Sequence, residues 1–110
     1  MAEPLRFFLV TDTHIFGQTL GTSSAAFQKL DAYGSTCYKA SGELFDAAAK
    51  RMLESPEIDS VLVCGDISSN GEYLSNAEAA KHLEALQNAG KHVVAITATH
   101  DYTSDDRFPD

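Results

Sequence analysis

Basic residues are scarce in this 110-residue chain: 8 Lys and Arg stand against 16 Asp and Glu, a net of −8. A surface that neutralises nucleic-acid phosphates needs clustered Lys and Arg, so no nucleic-acid-binding surface is expected. A basic membrane-surface helix is disfavoured for the same reason. Cysteine is nearly absent: Cys37 and Cys64 are the 2 in the chain, and neither sits in a CxxC or CxxxxC pair, so there is no disulfide framework. Long hydrophobic runs are missing too. The stretch from Phe7 to Val10 is too short for a signal-peptide core and far too short to span a bilayer. A reducing, cytoplasmic location with no membrane association is the expectation. What remains is an apolar fraction of 44%, enough to build a core and too high for a disordered chain. The length suits one globular domain. The carboxylate excess suits divalent cations, provided some of those carboxylates converge.

Three short apolar segments recur, Leu5 to Thr11, Ser60 to Cys64 and His92 to Thr97. Continuous runs of this kind, without alternation, predict strands of a parallel sheet buried on both faces. Between them lie two helical patterns. From Gly42 to Glu54 the apolar positions Leu44, Phe45, Ala48, Ala49, Met52 and Leu53 recur at helical spacing, with Ser41 as N-cap and Ser55-Pro56 as the stop. From about Asn76 to Asn88 the face is Ala79, Leu83 and Leu86, with Ser75 to Glu78 as a capping box and Gly90 as the glycine beyond the end. Strand–helix–strand–helix–strand predicts right-handed crossovers in an α/β fold. The segment from Ile15 to Ala40 is long for a connection. It reads either as a binding loop carrying Phe16, Phe27, Tyr33 and Tyr38, or as a local loop with a short helix near Ala25 to Leu30.

In open parallel sheets ligands bind at the carboxyl ends of the strands. Asp12-Thr13-His14 follows the first strand, Gly65-Asp66-Ile67-Ser68-Ser69-Asn70-Gly71-Glu72 the second, and Ala98-Thr99-His100-Asp101 comes after the third. Asp12 and His14, two apart on extended backbone, are expected to point to the same side as oxygen and nitrogen donors for a metal. Asp66, after a glycine that permits a tight exit, has two oxygens with which to bridge two ions. Asp101 beside His100 is placed to accept from the imidazole and fix its tautomer, which fits a general acid. The alternative is ordinary loop chemistry, with Asp12 capping a turn, Asp66-Asn70-Gly71 a plain strand-to-helix loop and His100 solvated. One such motif after each of three successive strands favours a shared polar site.

The pattern resembles the calcineurin-like metallophosphoesterase family, whose signature runs D-x-H, G-D-x-x-x-N-G-E and G-N-H-D/E, then an isolated His and G-H-x-H. Asp12 to His14 match the first motif and Gly65 to Glu72 the second, while the third is matched by His100 and Asp101. The resemblance implies a layered α/β sandwich of which this chain, residues 1–110, is the N-terminal βαβαβ portion, truncated before the later histidine motifs. It implies that Asp12 and His14 are ligands of one metal and that Asp66 bridges. His100 would contact the phosphate or protonate the leaving oxygen, with Asp101 orienting it. The cofactors implied are divalent ions, two in the complete domain, with Mn, Fe and Zn all compatible. The reaction implied is hydrolysis of a phosphomonoester or phosphodiester by a metal-activated hydroxide. Thr99 stands where the family has Asn, a poorer oxygen donor for the second ion. A non-catalytic metal- or ligand-binding α/β module, or a degenerate fragment, is the alternative. A phospho-acceptor domain ranks last, because His14 occupies the place where a D-x-D acid would stand.

Overall fold

A computed structural model describes residues 4–33 and 37–102; Gly34, the tail 103–110 and the side chain of Tyr33 lie outside what is described. Three strands, β1 (Phe8–Val10), β2 (Ser60–Cys64) and β3 (His92–Ile96), form one parallel sheet in that order. The register sets Phe8 against Val61 and Ser60 against His92. The helices are α1 (Ala25–Tyr33), α2 (Ser41–Leu53), α3 (Tyr73–Asn88) and the short α4 (Thr99–Tyr102). The α/β class and the βαβαβ order agree with expectation. Among the described residues, no helix is long and apolar enough to cross a membrane.

Two consecutive crossovers in the order β1-β2-β3 put α2 and α3 on the same side of the sheet. The core lies on that side. Val61 and Val63 of β2 pack with Phe45 and Met52 of α2 and Ala79 and Leu86 of α3. The opposite face is uncovered: Leu9, Val94 and Ile96 are 64%, 59% and 61% exposed, and Cys64 is exposed as well. Burial on both faces, expected from the unbroken apolar runs, is therefore not met in the described residues. The one-sided placement of the crossover helices is the reason.

Two helix starts also differ from the sequence reading. Ser41 is the first residue of α2 and not its cap, which is Ala40. Its hydroxyl accepts from Phe16 N at 3.0 Å and donates to the Tyr38 carbonyl at 2.8 Å. The start of α3 lies at Tyr73, ahead of the expected capping box, and Ser75 instead accepts from Gly17 N at 2.9 Å. Both serines are buried, and each is diverted from capping to tie the long segment after β1 onto a helix. That segment contains a 3-10 turn at Gln18–Leu20 and α1, so the short helix expected near Ala25 to Leu30 is present. The glycine expected beyond the second helix is in place, with Gly90 at φ 101° and its amide donating to Gln87 O at 3.0 Å.

Candidate metal centre

β1 and β2 do not part where their regular pairing ends. Asp12 N donates to Gly65 O (3.1 Å), His14 N to Asp66 O (3.0 Å), Ile15 N to Ile67 O (2.7 Å) and Ser69 N back to Ile15 O (2.9 Å). An irregular ladder thus carries both chain segments beyond the sheet, with Ile15 wholly buried at its centre. The backbone along it is not extended. Asp12 has φ 56°, His14 φ 44° and Asp66 φ 48°, and these are the only non-glycine residues with positive φ among the described residues. The extended-strand argument for Asp12 and His14 is corrected accordingly: the two side chains do converge, but through left-handed backbone. Gly65 (φ 82°) is needed where β2 exits, because a Cβ there would lie 2.6 Å from the Ala98 Cβ.

Asp12, His14 and Asp66 each place one donor atom so that all three lie within 4.8 Å of one another. His14 Nε2 stands 3.7 Å from Asp12 Oδ1, too far for a hydrogen bond, and its Nδ1 is buried with no hydrogen-bond partner. An imidazole beside two carboxylates, with neither nitrogen engaged in a hydrogen bond to them among the described residues, is a donor set of the kind that holds a divalent ion. The Thr11 hydroxyl donates to Asp12 Oδ2 at 2.5 Å. That hydrogen bond, opposed by slight desolvation and assisted by Asp66, His14 and His100, holds the Asp12 carboxyl below the ordinary carboxylate range. Two carboxylates and a histidine are therefore gathered at one point.

His100 joins this group. Its ring lies 4.9 Å from that of His14, edge to face, and its backbone amide donates to Asp66 Oδ1 at 3.1 Å. The imidazole Nδ1 donates to the Ser69 carbonyl at 3.1 Å. The role expected for Asp101, orienting His100, is not what its carboxylate does. Asp101 is buried and accepts from Ser68 N (2.8 Å), Ser68 Oγ (2.9 Å), Ala98 N (3.0 Å) and Ile67 N (3.2 Å). Burial pushes its carboxyl up, but the hydrogen bonds from Ser68, Ala98 and Ile67 outweigh it and hold the group below the usual range. Asp101 staples the loop after β2 to α4. The approach is close enough that a Cβ on Gly71 would lie 2.9 Å from Asp101 O. The physical reason is helical geometry: α4 begins at Thr99, so neighbouring residues in it point apart.

Residues that sequence reasoning passed over hold the site together. Ser68 is fully buried and its Oγ also accepts from Gly71 N at 3.0 Å. Thr13 Oγ1 donates to Ile67 O at 2.8 Å, binding the β1 exit to the β2 exit a second time. Their only signal is position, inside the two motifs but at places a motif leaves open. Thr99 is exposed at the start of α4. The other histidines lie apart: His82 Nδ1 pairs with Asp46 Oδ1 at 3.0 Å, linking α3 to α2, and His92 opens β3 at the amino end. A cavity of about 480 Å³ opens beside Asp12 and His14, floored by Leu44 and Phe45. A second, of about 350 Å³, lies against His100. Comparison with models of known protein families and with curated proteins gives no match to this chain.

Proposed function

We propose that this chain is the N-terminal portion of a calcineurin-like metallophosphoesterase domain, and that the cluster beyond β1 and β2 serves metal-dependent hydrolysis of a phosphoester. One coincidence carries the reading. The three residues whose donor atoms converge are the same three, among those described, that keep left-handed backbone without being glycine. Unfavoured backbone persists where the surroundings over-determine it, and it collects at ligand sites. The D-x-H and G-D-x-x-x-N-G-E motifs supply the same three residues independently.

In this reading Asp12, His14 and Asp66 would together hold divalent ions, Asp12 and His14 as ligands of one of them. Mn, Fe and Zn all suit such oxygen and nitrogen donors. Divalent ions at such a site polarise a phosphoryl oxygen and lower the pKa of water. The protein's own part is positioning. The His100 amide orients Asp66, and the Ser69 carbonyl holds His100 through Nδ1. Nε2 is then the nitrogen left to exchange a proton with the leaving oxygen. Asp101 acts one step removed, by fixing the loop and α4 from which Asp66 and His100 project.

A second reading, a metal-binding α/β module without turnover, is favoured by the donor count, since a converging set of three is enough for one ion. Calorimetric titration of the chain with Mn²⁺, combined with hydrolysis of 4-nitrophenyl phosphate, separates the two. The expected result is metal-dependent release of 4-nitrophenolate, with Asp66→Asn weakening metal binding about 100-fold and abolishing release. Metal binding without release selects the module. Metal binding unaffected by Asp66→Asn removes the site from both readings.

A further inference from the structure

We propose that the site takes phosphoesters whose organic group carries a planar aromatic ring, seated in the cavity on the far side of His100. The proposal rests on the phosphoester reading above and adds the substrate class to it.

The long segment after β1 contributes three aromatic side chains that come together here. The rings of Phe16 and Phe27 lie 4.8 Å apart at 38°, and those of Phe16 and Tyr38 6.5 Å apart at 57°. Together they line the cavity of about 350 Å³, whose opposite wall includes Ser69, Glu72 and His100. That volume lies within the range of small-molecule pockets and exceeds the voids of a packed interior. The rings also stand outside the sheet's core cluster, which is built around Val61 and Val63. Phe27 and Tyr38 are only half-buried, so their faces are not fully used by the protein.

The cavity lies next to the metal-ligand cluster, two of its lining residues being ring neighbours of His14. His14, one of the three donors, has its ring 4.9 Å from His100 and 6.5 Å from Tyr38, so it stands beside both walls of the approach. A phosphoryl group held at Asp12, His14 and Asp66 would therefore extend its organic group past His100 toward the rings. Aromatic side chains favour a flat π-system there through stacking or edge contact, a gain that a sugar or short aliphatic alcohol does not share. Glu72 restricts the class further. Its carboxylate lines the same cavity, fixed by Ser69 Oγ at 2.8 Å and Asn70 N at 2.9 Å, and it disfavours a second anionic group on the substrate. The class is a monoanionic or dianionic phosphoester of an uncharged or cationic aromatic group. A nucleoside and a simple phenol both qualify.

Affinities of the Mn²⁺-loaded chain for 4-nitrophenyl phosphate, AMP, ribose 5-phosphate and inorganic phosphate test this directly by calorimetry. The first two are expected to bind about tenfold tighter than ribose 5-phosphate, which sets the sugar and phosphate alone as reference. AMP against 4-nitrophenyl phosphate tells a nucleobase from a phenyl ring. Phe27→Ala and the volume-retaining Phe27→Leu should both remove the preference and leave inorganic phosphate affinity unchanged. Equal binding of ribose 5-phosphate and both aromatic esters overturns the proposal while leaving the phosphoester reading intact, as does a preference that survives both variants. Should no phosphate bind, saturation-transfer NMR with adenosine decides. An adenosine signal that Phe27→Leu abolishes keeps the aromatic pocket without the phosphoester reading, and no adenosine signal at all overturns the pocket.

Discussion

Lys91 and the Asp12–His14–Asp66 cluster stand at opposite ends of one parallel sheet, and their polar groups have opposite surroundings. At the amino end Lys91 is buried, and its Nζ donates to the Ser55 carbonyl at 2.9 Å and to the Ile58 carbonyl. The same ammonium lies 5.8 Å from the centre of the Phe8 ring. Its charge is enclosed by oxygen and π-density, and this end is built for stability. At the carboxyl end two carboxylates approach each other, and a buried imidazole nitrogen has no partner among the described residues. A chain that satisfies a buried cation so fully at one end has the means to satisfy polar groups at the other. The unsatisfied end is the one to search for function.

Asp101 belongs to the carboxyl end by place and to the amino end by behaviour, so its removal has the largest expected effect. Asp101→Ala leaves buried amides of Ser68, Ala98 and Ile67 without their acceptor and should cost about 3 kcal/mol in denaturant unfolding. The pH dependence follows from its lowered pKa. The unfolded chain takes up this proton near the ordinary value of 3.8, before the folded chain does. The stabilisation is therefore complete above about pH 4 and is lost as pH falls through the lower, folded value. Unfolding midpoints measured from pH 6 downward should show this acid-side loss in the parent protein and a flatter profile in Asp101→Asn.

Lys91→Met sharpens the comparison from the other end. It leaves the Ser55 and Ile58 carbonyls without the Lys91 donor and should cost about 2 kcal/mol, again read by denaturant unfolding. Calorimetry should find Mn²⁺ affinity unchanged. A parallel fall in metal affinity would mean that the two ends are not independent.

The smallest effect has the opposite sign. Asp12→Gly relieves a left-handed residue whose exposed carboxylate accepts from Thr11 and lies close to that of Asp66. The metal-free protein should melt about 3 °C higher, while calorimetric metal binding is lost. A lower Tm would show that the backbone at Asp12 is not under strain.

Much of this arrangement could be read from residue order. The runs from Ser60 to Cys64 and from His92 to Thr97 carry β2 and β3, while β1 takes only Phe8–Val10 of the run from Leu5 to Thr11. The helices α2 and α3 overlap the two helical patterns, and α4 has no counterpart in them. Asp12, His14 and Asp66 converge because each follows a parallel strand, and parallel strands all deliver their next residues to one edge. What was not legible depends on tertiary choice. Ser41 and Ser75 carry ordinary capping chemistry, and only the packed position of Phe16 and Gly17 redirects their hydroxyls. Asp101 next to His100 suggested a side-chain pair, but a helical turn separates neighbours that a strand or loop could have brought together. The uncovered sheet face was hidden because an apolar run reports affinity for burial and not which neighbour provides it. Left-handed backbone at Asp12, His14 and Asp66 was not legible, since Asp and His tolerate it better than most residues but do not require it as some glycine positions do.

The ladder that continues from β1 and β2 into the cluster bears on how site and fold share their fluctuations. Binding loops usually open on their own, well below the free energy of global unfolding. Here the amides of Asp12, His14, Ile15 and Ser69 are bonded across the same two segments as the strands, so the donors have no separate hinge. The cluster should therefore open with the sheet, and an ion held there would stabilise the whole domain instead of ordering a loop.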